Sequence, residues 1–165
     1  MHNRITKRIF LQPFTLLETQ EYLKSKRVNF TLQQLVELYM AIGGIPHYLK
    51  EVEAGLGVVQ NIDKLCFSVN GVLRDEFSRL YTSLFDKADR HVSIIKLLAQ
   101  KRKGLTRTEI TAHADMAKGG TVSKVLEELL ESGFISSFRP FGKKKKDILY
   151  RLTDEYSLFY LYFIQ

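Results

Sequence analysis

The feature that most constrains the fold is the order of helix signals across residues 89–132. Residues 89–100 place apolar side chains on one face at helical spacing. Residues 106–109 form a capping box, which predicts a second helix to about residue 114. A third helix is predicted over residues 121–132, where apolar residues again share one face. Three short helices in close succession indicate a helix-turn-helix unit.

Glycines and a basic turn complete this pattern. Gly119-Gly120 predicts the turn before the third helix, and Gly133 predicts its C-terminal end. Two strands follow at residues 134–138 and 147–152, and the turn between them, residues 142–146, is rich in lysine. Three helices followed by a hairpin with a basic tip predict a winged helix-turn-helix in a mainly α (α+β) fold.

The basic charge of the chain is concentrated in its second half. The net charge is +7 and the pI is about 9.5. Lys and Arg outnumber Asp and Glu by 2 in residues 1–88 and by 5 in residues 89–165. This distribution fits a polyanionic partner, although a basic surface also improves solubility.

Basic and polar side chains lie where a winged helix meets DNA. A recognition helix places its N-terminal residues against base edges, and a hairpin can reach phosphates or the minor groove. We therefore predict a DNA-binding set from the hairpin tip and the starts of the third and second helices: Lys143, Lys144, Lys145, Lys146, Lys118, Thr121, Ser123, Lys124 and Arg107. Such residues give a sequence-independent affinity that depends on salt.

Acidic residues further along the third helix argue against close reading of bases. Glu127, Glu128 and Glu131 would repel phosphates if the helix lay flat in the groove. We expect weak, non-specific DNA binding carried mostly by the hairpin. Two alternatives stay open: the lysine run is a solvated turn, or the winged helix is a protein-interaction or oligomerisation module that binds no DNA.

The first half of the chain carries signals for a small bundle of four or five helices. Capping boxes at Thr15 and Thr31 begin two of them. The other helices are predicted over residues 46–53, 59–68 and 72–85. Residues 8–11 predict one short strand before the bundle, and no neighbouring strand is evident for it to pair with.

The last segment, residues 154–164, predicts a helix that begins at Asp154 and contains five aromatic residues. Its apolar residues surround the helix rather than forming one stripe. A helix of this kind is expected to be buried, and we predict that it packs on the winged helix.

Several functional classes find no support in the residue content. No nucleophile–base–acid set is recognisable, and the four histidines lack metal-ligand spacing. The single cysteine, Cys66, cannot form an internal disulfide and indicates a reducing compartment. The apolar runs are shorter than a membrane span and no signal peptide is evident, so we expect a cytoplasmic protein with no membrane contact.

Gly43-Gly44-Ile45-Pro46 is the most specific short motif in the sequence. Two glycines allow another group to approach the backbone closely, and the proline favours entry into a helix. From spacing alone, a tight turn between helices is favoured over a ligand contact.

Longer stretches resemble the archaeal-type AAA+ ATPases, P-loop proteins that also occur widely in bacteria. The similar stretches occur in the family's order and extend over nearly the whole chain, at residues 3–19, 43–49, 71–77, 80–85 and 150–160. A phosphate-binding loop of the form GxxxxGK[ST] is missing from the sequence. The resemblance therefore implies a C-terminal piece of such an ATPase, without Walker A and B motifs.

This resemblance also implies roles for the segments. Residues 1–14 would be a residual strand of the missing N-terminal P-loop domain, and residues 15–88 a helical lid. Residues 89–152 would be the winged helix, and residues 153–165 an aromatic helix packed on it. Gly44 and Pro46 would lie near the nucleotide base, with ATP and Mg bound in the full-length parent and no cofactor in this piece. The piece alone would not be an enzyme. It would couple the nucleotide state of the parent ATPase to DNA binding. Assembly into a homo-oligomer is a further possibility that the resemblance leaves open.

Overall fold

The computed structural model describes residues 11–113, 119–142, 144 and 147–165. Most of the strand predicted over residues 8–11 lies outside the described residues, as do four of the predicted DNA-binding lysines, Lys118, Lys143, Lys145 and Lys146. Residues 11–15 have no regular secondary structure.

The first half is helical, as the sequence indicated. Its helices are α1 (Leu16–Ser25), α2 (Leu32–Ile42), α3 (Pro46–Leu49), α4 (Val58–Ile62), which continues as a π-helical segment (Asp63–Phe67), and α5 (Glu76–Leu84). The capping boxes predicted at Thr15 and Thr31 are confirmed, since each hydroxyl accepts the N–H three residues on and the Glu18 and Gln34 side chains bond back. Losing such a cap costs about 1 kcal/mol.

Two predicted helices of this half are shorter than the pattern indicated. The α3 helix ends at Leu49, where the Lys26 ammonium group donates hydrogen bonds to the carbonyls of Leu49, Lys50 and Val52. The α5 helix begins at Glu76 rather than at residue 72. In the preceding turn, the Leu73 N–H bonds to the Leu65 carbonyl at 3.0 Å. Both boundaries depend on contacts with residues distant in sequence, so a local pattern does not reveal them.

The second half is the predicted winged helix-turn-helix. Its elements are α6 (Ala88–Gln100), β1 (Leu105–Thr106), α7 (Arg107–His113), α8 (Gly119–Glu131), β2 (Ile135–Phe138) and β3 (Leu149–Leu152). The strands form an antiparallel sheet in the order β1-β3-β2, with Ile135 opposite Leu152 and Leu105 opposite Tyr150. The mainly helical fold with a small hairpin is confirmed, and β1 is a strand that the sequence did not indicate.

The two glycine signals in this half have different outcomes. Gly133 has a φ of +80° directly after α8, so the prediction that it ends the helix is confirmed. Gly119-Gly120 lies within the first turn of α8, so the turn predicted there is wrong. Apolar residues of α8 pack inwards as predicted, with Val122, Leu126 and Leu129 almost fully buried.

The C-terminal segment consists of α9 (Glu155–Phe159) and a π-helical continuation (Tyr160–Ile164). The Tyr156 hydroxyl donates to the Leu73 carbonyl at 2.6 Å, and the Ser157 and Tyr81 hydroxyls are 2.9 Å apart. These contacts bury the first half of the segment against the helical bundle. The second half stays partly exposed, because Phe163 retains 66% of its accessible surface.

One hydrophobic core runs through both halves of the molecule. Cys66 is fully buried in it, and burial raises the pKa of its thiol to about 12. No described helix combines the length and apolar character that crossing a bilayer requires. The predicted domain boundaries stay predictions, since the packing is continuous across them.

Candidate nucleic-acid interface

The starts of α7 and α8 meet at a contact between two predicted DNA-binding residues. The side chain of Glu109 accepts hydrogen bonds from the Thr106 N–H and hydroxyl, both at 2.7 Å, which confirms the capping box at the start of α7. Arg107, the first residue of α7, donates from Nη1 to the Ser123 hydroxyl at 3.0 Å. The sequence singled out both residues separately, and the crossing of the two helices brings them together.

Lys124 and Thr121 lie on another side of α8, next to the start of α6. They line a groove of about 540 Å³ with Lys87 and Arg90 of the α6 N-terminal region. Lys124 is exposed and forms an ion pair with Glu128 at 3.6 Å. Sequence reasoning missed Lys87 and Arg90, although two basic residues three positions apart at a helix start are a readable signal. The groove also contains acidic residues, Asp86, Glu128 and Glu131.

Glu128 is held by His91 as well as by Lys124. The Nε2 atom of His91 lies 2.8 Å from the Glu128 carboxylate, and its Nδ1 atom lies 3.2 Å from the Lys87 carbonyl. The His91 ring is 3% exposed and stacks on Phe85 with ring centroids 3.8 Å apart. Both ring nitrogens therefore lie within hydrogen-bond distance of oxygen atoms, which fixes the position of the ring. Glu128 is thus engaged within the protein, which leaves Glu127 and Glu131 as the exposed acids of α8.

The hairpin between β2 and β3 carries one described lysine of the predicted set. Lys144 is exposed, and the backbone N–H of this residue donates to the Asp147 carboxylate at 3.0 Å. Phe141, nearby in the same loop, is fully exposed. Sequence reasoning overlooked it, although an aromatic residue beside a Gly-Lys turn is readable from the sequence.

Gly44 and Pro46, predicted near a nucleotide base, lie instead at a packed turn of the chain. The Phe14 N–H donates to the Gly44 carbonyl at 2.7 Å, and a Cβ on Gly44 would overlap the Phe14 carbonyl group. Gly43 has a φ of +67°, and Pro46 is the first residue of α3. The close approach that these glycines permit is made by the protein's own backbone. A nucleotide contact here remains an untested prediction.

Metal-ligating side chains do not cluster in the part of the chain that the structure describes, where no three His, Cys, Asp or Glu residues could hold one ion.

Comparison with known proteins finds a match over the region that contains α6, α7 and α8. Residues 87–137, less than half of the chain, match the IclR helix-turn-helix domain. No curated protein and no solved structure matches the chain. The matching family is a DNA-binding regulatory domain, and it extends from the start of α6 to β2.

The resemblance to AAA+ ATPases is therefore wrong, since the family match is to a DNA-binding domain and nothing indicates an ATPase. The motifs that suggested it have a structural explanation: Gly44 admits Phe14, Gly71 lies against the Leu65 carbonyl, and Tyr156 bonds to the backbone of the bundle. The expectations of a missing P-loop domain, a lid, ATP and Mg lose their basis. Residues 87–137 are thus similar to a helix-turn-helix domain of a DNA-binding type.

Proposed function

We propose that the chain binds duplex DNA through the starts of α7 and α8 together with the hairpin between β2 and β3. The observation that carries this proposal is the Arg107–Ser123 contact, which places a guanidinium group beside the start of α8. Lys124 adds an exposed ammonium group one residue further along this helix. The match to a DNA-binding domain over residues 87–137 supports the same surface.

Contacts with phosphates account for most of the proposed affinity. Among the described residues, no atom lies within 4 Å of a Cβ added at Gly120, which favours approach of a duplex to the first turn of α8. Helix N-termini attract phosphates because their N–H groups lack intrahelical partners. Glu127 and Glu131 lie exposed beyond Lys124 and oppose a deeper approach. The result is weak binding with little discrimination between base sequences.

The proposal is tested by the salt dependence of duplex affinity, measured by fluorescence anisotropy with a duplex of random sequence. Arg107→Gln combined with Lys124→Gln should weaken binding and lower the slope of log affinity against log salt by about 2, roughly 0.9 for each phosphate that is no longer neutralised. Replacing Lys143 to Lys146 with glutamine should lower the slope further.

The matched control is Arg74→Gln combined with Arg79→Gln. These two arginines are exposed near and within α5, and their replacement changes the net charge equally. The control should bind almost as the wild type does. Equal losses in the control and test variants would show general charge attraction, and a wild type without salt-dependent affinity would refute the proposal.

A second candidate function is a protein-interaction module, which the exposed aromatic side chains of the hairpin favour. Phe138 is 42% exposed and Phe141 is fully exposed, and aromatic residues are enriched in protein interfaces. Phe141→Ser separates the two functions. Undiminished duplex binding by this variant, with loss of self-association in sedimentation, would favour an interaction module in the hairpin.

A further inference from the structure

An apolar groove lies on the side of the molecule where the bundle meets the winged helix. Its volume is about 690 Å³, within the range of about 300–1,000 Å³ typical of small-molecule sites. Three almost fully buried residues contribute to it: Ala41 of α2, Leu98 of α6 and Leu152 of β3. We call it the joint groove, because it is lined by both halves of the chain.

The outer part of the joint groove exposes large apolar side chains. Met40 of α2 is 67% exposed, and Phe163 at the C-terminal end of the other wall is 66% exposed. Leu158 and Phe159 line the same wall and pack on the core. Covering such surface is favourable by about 25 cal/mol for each Å² of apolar area removed from water.

The charged residues of the joint groove are distributed unevenly. Arg102 and Arg151 come from the winged-helix half, and neither forms an ion pair with any described residue. The Arg102 guanidinium lies 5.0 Å from the centre of the Tyr162 ring. The Tyr162 hydroxyl in turn donates to the Ala99 carbonyl at 2.8 Å, which fixes the ring beneath the arginine.

The acidic residues belong to the bundle side of the joint groove. Glu37 is exposed on α2 and already accepts a hydrogen bond from Gln33 at 3.0 Å. Glu155 is half-buried, and its carboxylate points towards Gly43, where a Cβ would lie 3.3 Å from Oε2. Burial raises the pKa of this carboxyl, which disfavours its negative charge. The two unpaired guanidinium groups are therefore the charges available to a ligand.

We infer that the joint groove binds a small molecule with an apolar body and a single carboxylate, whose carboxylate lies between Arg102 and Arg151. The apolar body would cover Met40, Phe159 and Phe163, and the carboxylate would accept charge-assisted hydrogen bonds from the guanidinium groups. This site lies apart from the proposed DNA-binding surface, and it does not depend on that function.

Three probes of equal chain length test the inference: decanoate, decanol and decyltrimethylammonium, each used below the concentration at which it forms micelles. Binding to the full chain is measured by titration calorimetry. Decanoate should bind at least about tenfold more tightly than the ammonium probe, a difference of about 1.4 kcal/mol. Decanol should fall between them, because it covers the apolar surface without a charge.

Two double variants identify the charges responsible. Arg102→Gln with Arg151→Gln should weaken decanoate binding about tenfold and leave decanol binding nearly unchanged. Arg74→Gln with Arg79→Gln, which removes the same charge outside the groove, should leave both unchanged. Since all four arginines are exposed, the variants should unfold at nearly the wild-type temperature, which a thermal scan checks.

Three results would overturn the inference. The first is no preference for decanoate over the ammonium probe. The second is an equal loss of decanoate binding in both double variants, which would show attraction to the overall positive charge. The third is a wild-type dimer in sedimentation equilibrium that Met40→Glu dissociates and decanoate does not, which would identify a second copy of the chain as the occupant.

Discussion

Two glycines, each from a pair of adjacent glycines, differ in their described surroundings: Gly44 and Gly120. Gly43-Gly44 follows α2 and is tightly enclosed, with the Phe14 backbone against Gly44 and the Glu155 carboxylate near Gly43. Gly119-Gly120 begins α8, and a side chain added at Gly120 would meet no atom of a described residue within 4 Å. Gly44 serves packing, and Gly120 has no described neighbour at its Cβ position. A glycine of the same dipeptide therefore supports stability in one region, and in the other it belongs to the helix start that we propose DNA approaches.

Adding a methyl group to Gly44 should have the largest effect on stability. Gly44→Ala places a Cβ 2.8 Å from the Phe14 carbonyl carbon, against backbone that cannot rotate away. We expect a loss of more than about 3 kcal/mol in the free energy of unfolding, or failure to fold. Urea unfolding followed by circular dichroism measures it. A loss below about 0.5 kcal/mol, the size typical of neutral surface changes, would mean that this turn is not tightly enclosed.

A smaller loss is expected where Tyr39 ties the N-terminal segment to α2. The Tyr39 hydroxyl donates to the Phe14 carbonyl at 2.8 Å, so Tyr39→Phe leaves a partly buried carbonyl with one partner fewer. The free energy of unfolding should fall by about 1 kcal/mol. Tyr22→Phe is the control, since the hydroxyl of Tyr22 bonds to no described residue, and it should change little. If both variants lost the same free energy of unfolding, the hydrogen bond to the Phe14 carbonyl would not be the cause of the loss.

The carboxylate beside Gly43 should make stability depend on pH. Burial raises the pKa of Glu155 above its ordinary value of 4.5. The folded state therefore favours the protonated form of Glu155. The resulting contribution to stability is fully present below the unfolded-state pKa and is lost as the pH rises through the folded-state pKa. Glu155→Gln should therefore match the wild type in acid and become the more stable form as the pH rises above that range. Urea unfolding at a series of pH values tests this. A variant that is less stable at neutral pH would show that the charge at the start of α9 favours the helix more than burial opposes it.

The smallest effect is expected at the open pair of glycines. Gly120→Ala adds a methyl group in free space within a helix, where alanine is favoured over glycine. The free energy of unfolding should rise by up to about 1 kcal/mol, which is opposite in sign to the effect of Gly44→Ala. Thermal unfolding of both variants under one set of conditions compares them directly. If Gly120→Ala lowered the free energy of unfolding instead, the space beside Gly120 at the start of α8 would not be free for a methyl group.

Local signals in the sequence predicted most of the fold. The capping boxes at Thr15, Thr31 and Thr106 bond within three residues, so their patterns suffice to place helix starts. Gly133 likewise ends α8 through its own backbone conformation. In contrast, β1 has two residues and exists because it pairs with β3 much later in the chain. Pairing of this kind follows from the whole fold and leaves little trace in a short segment.

The candidate interface was predictable in its residue types and less so in its arrangement. Ser123 and Lys124 were singled out because a recognition helix uses its first residues, and Arg107 because it is a basic residue at the start of the second helix. The structure joins Arg107 to Ser123. Engagement of Glu128 by His91 depends on α6 packing against α8, so the sequence indicated only an exposed acid. The ATPase resemblance is wrong, and three residues of the stretches that suggested it, Gly44, Gly71 and Tyr156, make close contacts within the protein.

Because the thiol of Cys66 is fully buried, we expect the native protein to resist alkylation. Cys66 is the single cysteine of the sequence, and its pKa of about 12 leaves almost no thiolate at neutral pH. A maleimide reagent can therefore reach it only in molecules whose core has opened. The labelling rate then reports how often the core around the π-helical segment 63–67 opens to solvent, and no cysteine has to be introduced for this measurement. Additional cysteines placed on the surface would react separately, so distances in the native state can be measured without first removing Cys66.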